Sequence, residues 1–245
     1  TSGFLIGNRE GSSFWTGQID EPALYDRELS TAEIAAIFTA GNAGKCRSCA
    51  SMPNGAVGWW PGDGTGIDVV NGNDGSLVNG VAFSTGLVDL AFNLNAPSQQ
   101  FIEISPQTLS LMNNSAGTIT AWINQSPTGV EQFRMVTAFG TGAPGEAVGF
   151  GIDNGNVRVY HHTETFDWQT GVPVNTDTWT FLAYTWDGST ERLYKNGTLA
   201  ASRARNFNFV NSGFARIGFG FINDPSVFFS GRIDEVMTFN RTLND

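Results

Sequence analysis

Apolar positions between residues 54 and 244 come in short runs broken by Gly, Asn and Asp, and the runs are rich in β-branched and aromatic types. The clearest are 118–123, Thr-Ile-Thr-Ala-Trp-Ile, and 180–186, Thr-Phe-Leu-Ala-Tyr-Thr-Trp. Such residues fit a pleated, half-buried surface, so both stretches read as strands. Asp153-Asn154-Gly155-Asn156, Asp187-Gly188 and Asn196-Gly197 supply residues that tolerate positive φ, the signature of tight hairpins. Strands at this spacing predict an all-β fold, a two-sheet antiparallel jelly-roll sandwich. A helical period occurs once. Ser30 and Glu33 have capping-box spacing, Ile34, Ile37 and Phe38 form one apolar stripe, and Gly41 is placed to stop the helix. One short helix is therefore expected in the N-terminal connector.

One pattern occurs twice. Near the C-terminus Gly231-Arg232-Ile233-Asp234-Glu235 leads to Phe239, Arg241 and Leu243; near the N-terminus Gly17-Gln18-Ile19-Asp20-Glu21 leads to Tyr25, Arg27 and Leu29. Upstream, Ile6-Gly7 matches Ile217-Gly218. A repeat of supersecondary size sets the organisation of a chain. Residues 1–30 read as the terminal strands of a preceding repeat, 31–53 as a helix and linker holding Cys46 and Cys49, and 54–245 as a complete domain.

Composition narrows the function classes. The 245 residues carry 19 Phe and 7 Trp, ample for a core, and a formal net charge of −10, with Lys45 and Lys195 the only lysines. A phosphate footprint needs clustered Lys and Arg, so nucleic acid is not expected as a partner. No apolar run is long enough for a membrane-spanning helix. The opening residues lack a signal-peptide pattern, so Thr1 reads as the start of a mature or excised piece.

The repeated ending resembles the last strand of concanavalin A-like, laminin-G-like jelly-roll domains of bacterial extracellular proteins. Further matching stretches are Trp59-Trp60-Pro61-Gly62-Asp63-Gly64, residues 71–77, Ala91-Phe92, 118–122 and 193–197. The resemblance covers roughly residues 54–244, and it implies an extracellular or cell-surface location. Fold alone does not fix function, because this one carries lectins, hydrolases and spacers. The resemblance also places a calcium ion where the loop 62–75 meets the Asp of the last strand. The donors implied are Asp63, Asp68, Asn71, Asn73 and Asp234, a set of oxygens that suits that hard cation. Asx turns, with Asp234 bonding loop amides, are the other reading of the same residues. The glucanases of this fold carry three acids on one strand at i, i+2 and i+5; none of the 23 acids here forms that triplet, and no Gly-x-Ser-x-Gly or second nucleophile arrangement occurs. An enzyme is not expected.

Residues 161–168 are the most polar-aromatic stretch. Trp168 or Tyr160 could stack on a sugar, and His162, Glu164 and Asp167 could bond its hydroxyls; an ordinary exposed loop is the plainer reading. His161 and His162 point to opposite faces of a strand, so they are not a joint metal site. Cys46 and Cys49 follow a helix C-terminus and lack two further ligands, which points to a local disulfide, with free thiols or a bridge to another chain as alternatives. Two functions follow. One is a structural and adhesive repeat that binds copies of itself through residues 1–30 into a filament. The other is a carbohydrate-binding module with glycans as partners. The unusual boundaries of the chain favour the first.

Overall fold

The computed structural model describes residues 6–7, 14–17, 19, 22, 24, 27–31, 34–35, 52–128, 133–162, 167–206, 209–220 and 227–243. It divides into two units, 1–52 and 53–245. Cys46, Cys49 and Glu164 lie outside the described residues, so the disulfide expectation does too. In the first unit, the Trp15 amide donates to the Gly7 carbonyl at 2.8 Å, and Ile34 N–H donates to Ser30 at 3.1 Å, the first bond of the expected helix. Thr31, Ile34 and Ala35 are helical.

The second unit is an antiparallel two-sheet jelly roll. Its strands are β1 (Ala56–Trp60), β2 (Gly75–Val78), β3 (Ala82–Thr85), β4 (Leu90–Leu94), β5 (Phe101–Ile104), β6 (Gly117–Gln125), β7 (Arg134–Gly140) and β8 (Ala147–Asp153). They continue with β9 (Asn156–Tyr160), β10 (Trp168–Pro173), β11 (Thr180–Trp186), β12 (Thr190–Lys195), β13 (Thr198–Ala204), β14 (Phe214–Ile217) and β15 (Gly231–Phe239). The first sheet runs β13-β12-β11-β6-β15-β4-β3, with β1 also on β15; the second runs β10-β9-β8-β7-β14-β5-β2. Both strands read from composition are found, β6 two residues longer than the pattern at its C-terminal end and β11 with the bounds expected. The Asn154-Gly155 and Asn196-Gly197 pairs take φ of 48° and 74°, and of 50° and 79°, which closes β8–β9 and β12–β13 with two-residue turns.

Side chains alternate across each strand, so every second residue enters the core. In β8 these are Val148, Phe150 and Ile152, all fully buried. They meet Ile119, Ala121 and Ile123 of β6 and Leu182 and Tyr184 of β11 in one cluster. Between them, Gly149 and Gly151 occupy the outer face of the second sheet, where a Cβ would fall 2.1 Å from the Thr137 carbonyl and 2.3 Å from that of Arg134. No side chain fits there. One feature had no signal in the periodicity: a five-residue helix, α1 (Gln107–Leu111), which has no side-chain cap and is held by burying Thr108 and Leu109.

β15 changes neighbours part-way along. Gly231, Arg232 and Ile233 pair with β4, whereas Val236 and Met237 pair with β1. The change falls at a bulge against β6, between Asp234 and Met237, where Glu235 takes a φ of +53°. An extra residue at a bulge re-aims the side chains around it. Ile233 and Val236 consequently both join the core cluster, where strict alternation would set them on opposite faces.

Candidate ligand-binding surfaces

A straight row crosses the outer face of the second sheet. By register it reads Ser76, Glu103, Arg216, Ala138, Gly149 and Tyr160, one residue from each of six strands. Ala138 and Gly149 keep the middle of the row small, and aromatic groups gather at both ends.

At one end Phe101, Phe214, Arg216, Phe219 and Phe228, with Asn79 and Gln99, line a cavity of about 330 Å³. Phe219 and Phe228 stack with their rings 4.0 Å apart, and Phe101 tilts against Phe219 at 5.1 Å. The Arg216 guanidinium lies 4.2 Å over Phe214 and 5.0 Å over Phe219. It is held there by Glu103 at 2.7 Å and the Gly220 carbonyl at 3.1 Å. Cation–π contact and ion pairing together fix a long side chain that would otherwise be mobile. Phe214 is 40% exposed. Asn79 and Gln99 are exposed and both sit in the left-handed region; the Asn79 amide donates to the Gln99 carbonyl at 2.8 Å, so the two loops brace each other. Aromatic walls with a few fixed polar groups are the usual make-up of a small-ligand pocket. Because Arg216 is already paired, the pocket offers ring faces and amides rather than a net charge.

The other end holds the residues selected from sequence. Tyr160 is buried on the outer face, packs on Phe133 at 5.7 Å, and its hydroxyl meets His162 Nδ1 at 3.0 Å. Arg158 lies 4.7 Å over the Phe133 ring and binds Asp153 and Asp167 at 2.9 and 2.7 Å. Asp167 also accepts the His161 amide at 2.7 Å. Trp168 faces the opposite way, against the core, with Arg203 5.2 Å over its ring. Tyr160, His162 and Asp167 are thus brought together, but both Asp167 oxygens are already bonded by the protein and Trp168 stands apart from the other three.

Behind Trp168 lies a polar group with no signal in sequence. His161 and Glu191 are fully buried. His161 Nε2 meets Glu191 Oε1 at 2.5 Å and its Nδ1 meets the Ala147 carbonyl at 2.9 Å. Glu191 also accepts the Tyr184 hydroxyl at 2.7 Å and the Arg203 Nε. Burial works to raise the Glu191 pKa, but the hydrogen bonds and positive charge around the carboxylate outweigh it and lower the value to about 2. The group ties His161, just past the end of β9 in the second sheet, to β11, β12 and β13 of the first. A buried charge needs such partners.

The loop 62–75 and Asp234 lie at the point where β15 changes neighbours. Asp68 is buried and spends both oxygens on amides: Oδ1 accepts from Trp59 and Val70 at 2.9 and 3.0 Å, Oδ2 from Asn71 and Asn73 at 3.3 and 3.1 Å. The Asn71 side-chain amide donates to the Val57 carbonyl at 3.2 Å, and the Asn73 carbonyl accepts from the Trp60 indole at 3.2 Å. Asp234 Oδ2 accepts from Leu87 and Val88 at 2.7 and 3.1 Å, while Oδ1 is buried with no hydrogen-bond partner. Burial pushes the Asp234 carboxyl above its usual range, and the negative charge of Asp63 adds to this. Glu235, half-buried beneath the Trp59 indole at 2.6 Å, is pushed up to about 7 by burial and by the charges of Asp234, Asp63 and Asp89. An orphaned carboxylate oxygen with acids around it fits a cation; the turn held by Asp68 is complete without one. Among the described residues no three His, Cys, Asp or Glu side chains converge closely enough to ligate one ion. An ion here would be held by Asp234 and Asp63 with main-chain carbonyls, and would supply charge neutralisation.

The sheet order and these surfaces define a concanavalin A-like jelly roll. Residues 97–245 match the model of the concanavalin A-like lectin/glucanases superfamily, and the chain belongs to that family. Among solved structures it is similar to domain 4 of AbnA, a GH43 extracellular arabinanase from Geobacillus stearothermophilus, in complex with arabinotriose. That match has a TM-score of 0.63 at 20% identity, covering 77% of this chain and 94% of that one. It is also similar to the binding domain of Paraclostridial Mosquitocidal Protein 1, with TM-score 0.60, 17% identity, and coverage of 78% and 50%. A third is a Trypanosoma rangeli sialidase in complex with a difluoro-KDN compound, with TM-score 0.57, 19% identity, and coverage of 80% and 32%. The chain spans half of the second and about a third of the last. No curated protein matches it in sequence. Among the described residues no helix is long and apolar enough to cross a membrane.

Proposed function

We propose that this chain is a non-catalytic carbohydrate-binding module of an extracellular protein, and that its ligand is a neutral oligosaccharide. The observation that carries this reading is the cavity beside Phe214. It joins a partly exposed aromatic face to two exposed amide side chains and a guanidinium whose charge is already spent. Sugars present apolar C–H faces to aromatic rings and hydroxyls to amides, and a neutral sugar leaves the Arg216–Glu103 pair undisturbed. A domain of an arabinanase in complex with arabinotriose is among the similar structures, which makes arabinan oligosaccharides the first ligands to test. Calorimetry with arabinan oligosaccharides, followed by a glycan array, is the direct test. Phe214→Ala should weaken binding at least tenfold, about 1.4 kcal/mol or more, and leave the melting curve in place because Phe214 stands outside the core. Absence of binding to any neutral glycan, or full binding by the variant, rejects the assignment.

We also propose calcium at Asp234 and Asp63 as a structural ion. The support is the unbonded Asp234 oxygen at a family-typical place. At roughly 100 times Kd a bound ion adds about 2.7 kcal/mol, which for a domain of this size is on the order of 5–10 °C in melting temperature. Chelation should lower the melting temperature by about that much, and Asp234→Asn should remove the response; an unmoved curve leaves Asp234 as a hydrogen-bonded turn.

A further inference from the structure

The outer face of the first sheet holds a cavity of a different character. By register Thr120, Ala183 and Tyr194 follow one another across β6, β11 and β12. Their neighbours along the strands, Ile119, Ala121, Leu182, Tyr184 and Leu193, belong to the core, so these three face outward. Thr120 and Ala183 are nonetheless only 5% and 9% exposed, because taller side chains rise around them. Phe181 stands on one side, with the Trp122 ring 5.2 Å from its own. Leu243 stands on the other, fixed by Thr118, whose hydroxyl donates to the Arg241 carbonyl and accepts the Leu243 amide, both at 2.9 Å. Tyr194 closes one end. The space between is about 190 Å³, and among the described residues no charged side chain lines it. Thr185 also borders it. That side chain is buried, and its hydroxyl has no hydrogen-bond partner among the described residues.

We propose that this cavity binds a small phenol, at a site separate from the one beside Phe214. An apolar cavity of about 150 Å³ accommodates benzene, so there is room here for one ring and a substituent. The guest is flat because its slot is: Thr120 and Ala183 form a floor in line, and a ring standing on it meets the Phe181 face or edge as aromatic pairs do. It is uncharged, since an ion buried among these groups would find no partner. It carries a hydroxyl, because a buried hydroxyl left unbonded is costly and a phenolic oxygen supplies what Thr185 lacks. One staggered step about the Thr185 Cα–Cβ bond exchanges methyl and hydroxyl, which lets that group be presented to the guest. The proposal is independent of the glycan reading.

The test is a chemical-shift titration of the full chain with phenol. The methyl signals of Ala183 and Thr120 should shift and saturate together, with benzene and cyclohexanol each binding at least threefold more weakly. Ala183→Leu fills the floor and should raise the phenol Kd at least tenfold; Ala183→Val is the milder filling should the larger side chain lower the melting temperature. Thr185→Val keeps the shape, removes the hydroxyl, and should bring phenol down to the affinity of benzene. Absence of saturable shifts at Ala183 and Thr120, undiminished phenol binding in a folded floor-filled variant, cyclohexanol binding as tightly as phenol, or an unchanged phenol-to-benzene ratio in Thr185→Val would each overturn the proposal. Glycan affinity in Ala183→Leu should equal that of the parent, which separates this result from the previous one.

Discussion

Glu191 couples one buried carboxylate to the stability of the fold in acid. Its folded pKa is depressed from 4.5 to about 2, so its stabilisation is complete above about 4.5 and drains away as pH falls towards about 2. Linkage puts the amount at about 3 kcal/mol. Denaturation followed between pH 6 and 2 should show that loss, and Glu191→Gln should be less stable at pH 6 and show a shallower acid slope. An unchanged slope in the variant assigns the acid sensitivity to other carboxylates. Neither His161 nor Glu191 announced its partner in the sequence. They lie on different sheets, and only the packing of one sheet on the other brings them to 2.5 Å. The cavity at Phe214 was hidden for the same reason. Phe101 and Arg216 alternate with core residues, and the register of β5 against β14 makes them neighbours.

At the scale of elements the sequence was far more readable. Runs of β-branched and aromatic residues identified β6 and β11, and Asn-Gly pairs identified two hairpins, because these signals act between near neighbours. The bulge in β15 was not readable, since Glu235 is a residue type that rarely adopts positive φ. Gly231 is the informative glycine of that strand. With φ of +131°, and a Cβ position 2.3 Å from the Asn124 carbonyl, it leaves no room for a side chain between β15 and β6. Gly231→Ala should destabilise the domain by about 1–3 kcal/mol, measurable as a lower denaturant midpoint with an unchanged slope. A neutral effect would show that the strand can shift to admit a methyl group.

For the whole molecule, residues 53–245 hold both sheets and a continuous core, as expected of a unit that folds alone. A chain lacking residues 1–52 should therefore melt within a degree or two of the full chain and keep its affinity for glycan; a large fall would show that the first unit supports the second. The preference drawn from sequence, a self-associating repeat, came from the boundaries of the chain and its duplicated pattern, neither of which reports on what the chain binds. The features that favour a glycan lie on the outer face of the second sheet, where no sequence motif marks them.

The place of β15 also has a consequence in time. It is synthesised last, yet it lies in the interior of the first sheet, between β6 and β4. As the chain leaves the ribosome, those two strands wait across a gap that nothing in the preceding 170 or so residues of the domain can fill, and at roughly 5–20 residues per second that wait lasts many seconds. Closing the gap joins β4 to a strand well over a hundred residues away, the kind of distant pairing that slows folding.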